Sequence, residues 1–214
     1  MKINKGVLAI SSFCAGIIIG LSTYISLLAD NKYIAGIILT FGILFTNLLR
    51  LDLFTCNIGF YKNKKEIPYL LLFLIFNIIG VFFISSILKL TIDFDIIYEK
   101  CLQLTKTKLE TSLFIHYSEA MLYGMMLFIS IVTFRIYNSY ICILLPITIC
   151  AITGFEHSIT DSFYYIFSGN FLKALNTLII TILGNITGAL FLKYMLVYNK
   201  KEELNNNEVS EHNS

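Results

Sequence analysis

Six apolar segments constrain this chain more than any other feature. No residue from 6 to 29 is charged, and a helix of that length can cross a hydrocarbon core about 30 Å thick. The opening MKINK has the look of a secretory leader, but the apolar run is too long for one and no small-x-small cleavage site follows it cleanly. SSFC is equally poor as a lipoprotein signal, because Phe13 stands where a small side chain is required. The first segment is therefore expected to be a retained helix. Apolar residues make up 57% of the chain and charged ones 14%, and the mean hydropathy is +0.75, which places the protein in a lipid bilayer.

Two of the six segments are interrupted. The second begins at Tyr33, is broken by RLDLFTCN (50–57) and resumes briefly to Tyr61, before the charged turn KNKKE. The third runs over 67–88 and admits Pro68 in its first turn, where a missing N–H is tolerated. The fourth covers about 111–134 and carries Glu119; the fifth starts near Ile136, contains Pro146, is broken by EHSITDS (156–162) and resumes as FYYIFS. The sixth spans 171 to about 192.

The broken segments hold the same place in two successive sets of three. N-I-x-G also recurs, as Asn77-Ile78-Ile79-Gly80 in the third segment and Asn185-Ile186-Thr187-Gly188 in the sixth. Interrupted segments in corresponding positions point to an internal repeat with a site near the midplane. Three spans per repeat make the second copy inverted. The expected fold is an all-α membrane protein of six transmembrane helices, two inverted three-helix repeats with helices two and five broken.

Lys and Arg placement sets the expected orientation. With the N-terminus inside, the cytoplasmic parts hold Lys2, Lys5, Lys62, Lys64, Lys65, Arg135, Lys193, Lys200 and Lys201. The protein is thus expected to be a multi-pass cell-membrane protein with both termini cytoplasmic. Residues 1–198 form one membrane domain, and the polar tail 199–214 is expected to be disordered. The stretch 89–110 reads as an outer loop, its lysines balanced by Asp93, Asp95, Glu99 and Glu110. A net charge of +2 gives no reason to expect nucleic acid as a partner. The five cysteines lack CxxC spacing and read as small buried residues.

GFEHSITDS (154–162) is the place to look for function, because a charge near the bilayer centre costs roughly 2.5 to 3.5 kcal/mol on insertion scales. Backbone that leaves the helix at membrane depth is tolerated only against protein or a water-filled path, so each break implies a cavity. An inverted repeat would bring LFTCN and EHSITD together, converging Thr55, Glu156, His157, Ser158 and Asn57. His157 can offer an N–H to an anion as a cation or as a neutral ring, given an ordinary pKa of about 6.5. Glu156 would hold the loop by bonding Asn185 or backbone amides. The plainer alternatives are a hydrogen-bonded core histidine beside a simple kink, and an ordinary helix hydroxyl for Thr55.

GFEHSITDSFYYI resembles the fifth-helix motif of the formate/nitrite transporter family, and LDLFTCN resembles that family's second-helix loop. GNITG from Gly184 and FNIIG in the third segment resemble its G-N-I-x-G, so the resemblance covers about residues 5 to 198. It implies a homopentamer with a pore in each protomer, an aquaporin-like helix arrangement and passage of small monovalent anions such as formate, nitrite, hydrosulfide or lactate. By the same resemblance His157 would be the central pore histidine, Thr55 the hydroxyl facing it, Leu53 and Phe54 the apolar constriction, and Glu156 and Asn185 supporting partners. Lys108 best fits the family's vestibule lysine, with Lys106 the alternative and a solvated loop lysine the plainer reading. Departures lie at Tyr123-Gly124, where the family usually shows Cys-Asn or Ala-Asn, and at Arg50 and Leu51, where small residues normally stand. Arg50 is expected to pair with Asp52, with a second cation along the path as the alternative.

The expected function is a channel or proton-linked facilitator for a small monovalent anion, with no cofactor. Lys108 would raise the local anion concentration outside. The competing class is an intramembrane metalloenzyme using His157, Glu156 and Asp161, with Glu119 nearby. Zinc sites typically need three or four protein ligands, often with a His pair, and only three histidines are present.

Overall fold

The computed structural model describes residues 4–61 and 63–212, with side chains as far as Leu196. Lys2, Lys62 and the side chains of Lys200 and Lys201, counted above toward orientation, lie outside the described residues, as do the side chains of the tail read as disordered. The described residues are helical, with no strand among them.

Helix α1 (Lys5–Leu28) starts at Asn4, whose side chain accepts from Gly6 N–H. Asn31 caps α2 (Lys32–Leu48) in the same way, through Tyr33 and Ile34. After α2 the chain leaves the helix and re-enters it as the short α3 (Phe54–Asn57), prolonged by a 3₁₀ turn at Ile58–Phe60. Helix α4 (Ile67–Leu88) begins with Pro68 in its first turn. Helix α5 (Phe94–Glu110) replaces the expected outer loop. It buries Ile97, Cys101 and Thr105, an i, i+4, i+8 stripe whose spacing is that of a one-faced helix. Helix α6 (Leu113–Tyr137) is capped by Ser112 and stops where Asn138 turns left-handed.

Helix α7 (Ile141–Thr153) contains Pro146 and ends at Gly154, with φ 81°. Helix α8 (Ser158–Phe167) follows after residues 154–157 and is bent 47° from α7. The break is thus narrower than EHSITDS, since Ser158 to Ser162 are helical. Helix α9 runs over Leu175–His212, its apolar part ending at Leu196.

Among the described residues four helices, α1, α4, α6 and α9, are long and apolar enough to cross a membrane alone, and the bent α7–α8 pair brings the number to five if it is counted as one broken span. Helix α2, with 17 residues, is shorter. The most extensive contacts pair α1 with α4 and α6 with α9. Both pairs rely on glycine for close approach. A Cβ on Gly16 or Gly124 would strike the carbonyl of Asn77 or Asn185, and one on Gly80 or Gly188 would strike that of Phe13 or Met121. Small residues that let backbones meet are the usual basis of helix packing in lipid, where the hydrophobic effect gives no drive.

Candidate functional site

Each helix that follows a break begins on an asparagine from another helix. Asn77 Oδ1 accepts from Phe54 N–H at 2.8 Å, while its Nδ2 donates to the carbonyls of Ser12 (2.7 Å) and Asp52 (3.1 Å). Asn185 Oδ1 accepts from Ser158 N–H at 3.0 Å, and its Nδ2 donates to the carbonyls of Ala120 and Glu156, both at 2.9 Å. Neither α3 nor α8 has a side-chain cap of its own, so the asparagines satisfy amide groups that a buried helix start would leave unpaired. This is why the Asn of N-I-x-G recurs, while its Gly sets the helix spacing.

The two breaks meet at a buried contact. Thr55 Oγ1 lies 2.9 Å from His157 Nε2, and His157 Nδ1 lies 2.7 Å from Thr160 Oγ1. Tyr123 stacks on the imidazole with ring centres 4.7 Å apart. Leu53 and Phe54 are buried beside Thr55. Leu53 stands immediately before α3 as His157 stands immediately before α8. Both ring nitrogens face hydroxyls, so the ring can donate at one and accept at the other without carrying a charge.

On one side of this contact is a cavity of about 370 Å³ bordered by Lys108, Glu119, Glu156, His157, Asp161 and Tyr164, among others. Lys108, in the last turn of α5, forms a close ion pair with Glu156 and lies 3.2 Å from Asp161 Oδ1. His116 takes part too: its Nδ1 approaches Glu156 Oε1 at 3.2 Å, and its Nε2 is 2.6 Å from the Lys108 carbonyl. Burial would lower the Lys108 pKa, but the Asp161 and Glu156 carboxylates outweigh it and hold the ammonium above its ordinary value. Asp161 Oδ2 is buried without a hydrogen-bond partner. The Glu156 carboxylate is thus engaged by Lys108 and His116, and Asn185 bonds only its backbone carbonyl. Lys106 is exposed and does not border this cavity.

On the other side is a cavity of about 340 Å³ bordered by Asn47, Arg50, Asp52, Cys56, Asn57 and Arg135, among others. Tyr123 borders the first cavity and Arg135 the second, twelve residues along α6, which is about 18 Å at 1.5 Å per residue. The expected Arg50–Asp52 ion pair is absent among the described residues; Arg50 turns left-handed at φ 55°, and the Asp52 N–H is held by Ser11 Oγ at 3.0 Å. A wider apolar recess of about 660 Å³ lies between α4 and the turn after α8, away from this chemistry.

Three participants escaped the sequence reading. Thr160 stands at i+3 from His157, a spacing that puts two side chains on one helix face and was available. His116 and Tyr123 arrive from α6; Tyr123 stood out above only as a departure from the family's usual pair, and nothing local marks either as a neighbour of the GFEH turn.

Broken helices whose ends meet between two cavities, in an all-helical chain with helices long enough to cross a membrane, are the arrangement expected of a membrane transporter. A sequence model of the formate/nitrite transporter family matches residues 1–199, and the chain belongs to that family. A search of curated protein sequences finds no match. Among solved structures the chain is similar to one described as a pentameric formate channel with formate bound, at TM-score 0.78 and 17% identity, covering 91% of this chain and 97% of that one. A structure described as an FNT family ion channel gives TM-score 0.76 and 17% identity, covering 92% of this chain and 91% of the other. At such identity these likenesses establish the fold. The family is one of transporters and not of enzymes, which sets the metalloenzyme reading aside. Glu156 and Asp161 turn to Lys108 while His157 turns to two threonines, and no metal-binding group of His, Cys, Asp or Glu occurs among the described residues.

Proposed function

We propose that the protein is a channel or proton-linked facilitator for small monovalent anions of the formate, nitrite or hydrosulfide type. The observation that carries this reading is the Thr55–His157 contact, 2.9 Å long and placed between two cavities. An anion that reaches this layer loses water to the apolar side chains of Leu53 and Phe54. The His157 N–H and the Thr55 hydroxyl replace part of that hydration. Lys108 faces the outer cavity, and Glu156 and Asn185 hold the loop that presents His157.

The six-span, inverted-repeat architecture belongs to the same proposal. Asn77 and Asn185, Ser12 and Ala120, Gly80 and Gly188 stand at one constant offset along the chain and make matching contacts. Thr40 and Thr148 stand at that same offset and lie 3.1 Å from each other. A residue that touches its own repeat mate is what a two-fold axis through the molecule requires. We place the Arg50–Arg135 end and both termini in the cytoplasm, and we take the assembly to be a homopentamer by likeness to the pentameric formate channel.

The test is flux into proteoliposomes. Formate, nitrite or hydrosulfide should pass, and sulfate should pass poorly, because two charges cannot be compensated by neutral donors in an apolar layer. His157→Phe should cut the flux sharply, and Thr55→Val should cut it less. Wild-type liposomes that pass none of these anions, or a His157→Phe variant at full rate, would overturn the proposal.

A further inference from the structure

The cavities flanking the Thr55–His157 contact differ in charge. In the outer one Lys108 is already engaged by Glu156 and Asp161, and Glu119 adds a further carboxyl group. The inner one sets Arg50 and Arg135 against a single carboxylate, Asp52. Among the described residues no carboxylate oxygen lies within 4.0 Å of either guanidinium.

Arg50 occupies this position at a conformational cost. Its φ of 55° lies in the left-handed region that glycine adopts freely and that a Cβ disfavours, and its side chain is exposed, so packing does not require it. The turn itself closes α2, the Arg50 and Leu51 N–H groups bonding the Asn47 and Thr46 carbonyls at 3.1 and 2.8 Å, as at many helix C-termini, and it leaves Arg50 on the border of the inner cavity. Arg135 is pre-oriented from the other side, its guanidinium 3.7 Å from the centroid of the Phe60 ring. Stacking fixes the plane of the fork and leaves its N–H edges to a ligand.

We propose that Arg50 and Arg135 form a second anion site, at the inner mouth, which takes small planar monovalent oxyanions, carboxylates above all, and loads the pathway from that side. The proposal rests on the anion-channel reading above. Two parallel guanidinium N–H groups match the two oxygens of a carboxylate. Hydrosulfide has one acceptor atom and gains only the charge. The pathway therefore fills from the inner face at lower formate concentration than from the outer face, a kinetic asymmetry that leaves the equilibrium distribution unchanged.

Formate and hydrosulfide flux in right-side-out and inside-out membrane vesicles gives a half-saturating concentration for each face. Arg135→Gln and Arg50→Gly should each raise the inner-to-outer ratio for formate by about tenfold or more, the size expected for one charge-assisted hydrogen bond, and shift hydrosulfide less. Arg135→Lys keeps the charge without the fork, so it should restore hydrosulfide and not formate. Arg50→Gly also relieves the backbone, so its thermal midpoint should match or exceed the wild type's, which separates loss of loading from loss of fold. An unshifted formate ratio in both variants overturns the proposal, as does an equal shift at both faces, the mark of general pore damage. Wild-type vesicles that conduct neither anion sink the channel reading and this proposal together, whereas conducting vesicles with an unshifted ratio sink this proposal alone.

Discussion

Asn185 bonds three backbone groups at once, so its loss should be felt in stability before it is felt in selectivity. Asn185→Leu leaves the Ser158 N–H without its acceptor inside a buried loop, at a cost of about 1 to 3 kcal/mol per unsatisfied group. Asn77→Leu does the same to Phe54. Both should lower the thermal midpoint in detergent by similar amounts; a variant that melts like the wild type would show that water replaces the amide there. Asn77 and Asn185 were legible because a polar residue recurs beside glycine in otherwise apolar helices. The partners of Glu156 were not, since Lys108 and His116 come from other helices and nothing local couples them to the GFEH turn. Their ion cluster carries a sign of its own. The Lys108 pKa is held above its ordinary value, so the cluster's stabilisation is fully present below the unfolded lysine value, about 10.4, and is lost as pH rises through the higher native one. Melting of Glu156→Gln relative to wild type should therefore show a deficit that stays constant from neutral pH to about pH 9 and fades above the unfolded lysine value. A deficit that disappears by pH 8 would mean that Lys108 is not the partner that matters.

Helices that needed only length were readable from composition: α1 and α4 lie within a residue of the expected apolar runs. Helix α5 was hidden because its charges conceal a narrow buried stripe at i, i+4 and i+8, and a loop with balanced charges looks the same in one dimension. The breaks were located correctly but drawn too wide, because polar residues such as Ser158, Thr160 and Asp161 belong to the first turns of α8 and are paid for by contacts from other helices. Glycines separate two kinds of constraint at this scale. A Cβ on Gly188 would run into the Met121 carbonyl, whereas one on Gly154 would meet open space and only the strain of φ 81°. Gly188→Ala should therefore wedge α9 away from α6, costing about 1 to 3 kcal/mol by overpacking, and displace Asn185 with it, so that stability and flux fall together. Gly154→Ala should lower stability by about 1 to 2 kcal/mol through backbone strain. Equal flux in the two variants would show that the α6–α9 interface gives way at no functional expense.

The folded protomer exposes apolar rows that water would not tolerate, such as Ile34, Ile37, Phe41, Phe45 and Leu48 along α2 and Leu71, Ile75, Ile79 and Phe82 along α4. Lipid or neighbouring protomers must cover them, and nothing in the periodicity of these rows says which, so the oligomer could not be read from the sequence alone. The candidate site, by contrast, draws on one chain: Thr55, His157, Thr160 and Tyr123 all come from it, and so do the linings of both cavities. If five protomers assemble, each should conduct alone. Co-reconstituting wild-type protein with His157→Phe in known proportions, after mixing during assembly, distinguishes this from a passage shared along the central axis. Independent pores make the remaining flux fall in proportion to the fraction of variant protein. A shared passage lined by one residue from every protomer would fail in almost all mixed assemblies, and flux would collapse while wild-type protein was still the majority. Native mass measurement on the same mixtures supplies the second half of the test: assemblies of five with a spread of variant content are expected, and a stable monomer or trimer would refute the pentamer while leaving the linear dependence intact.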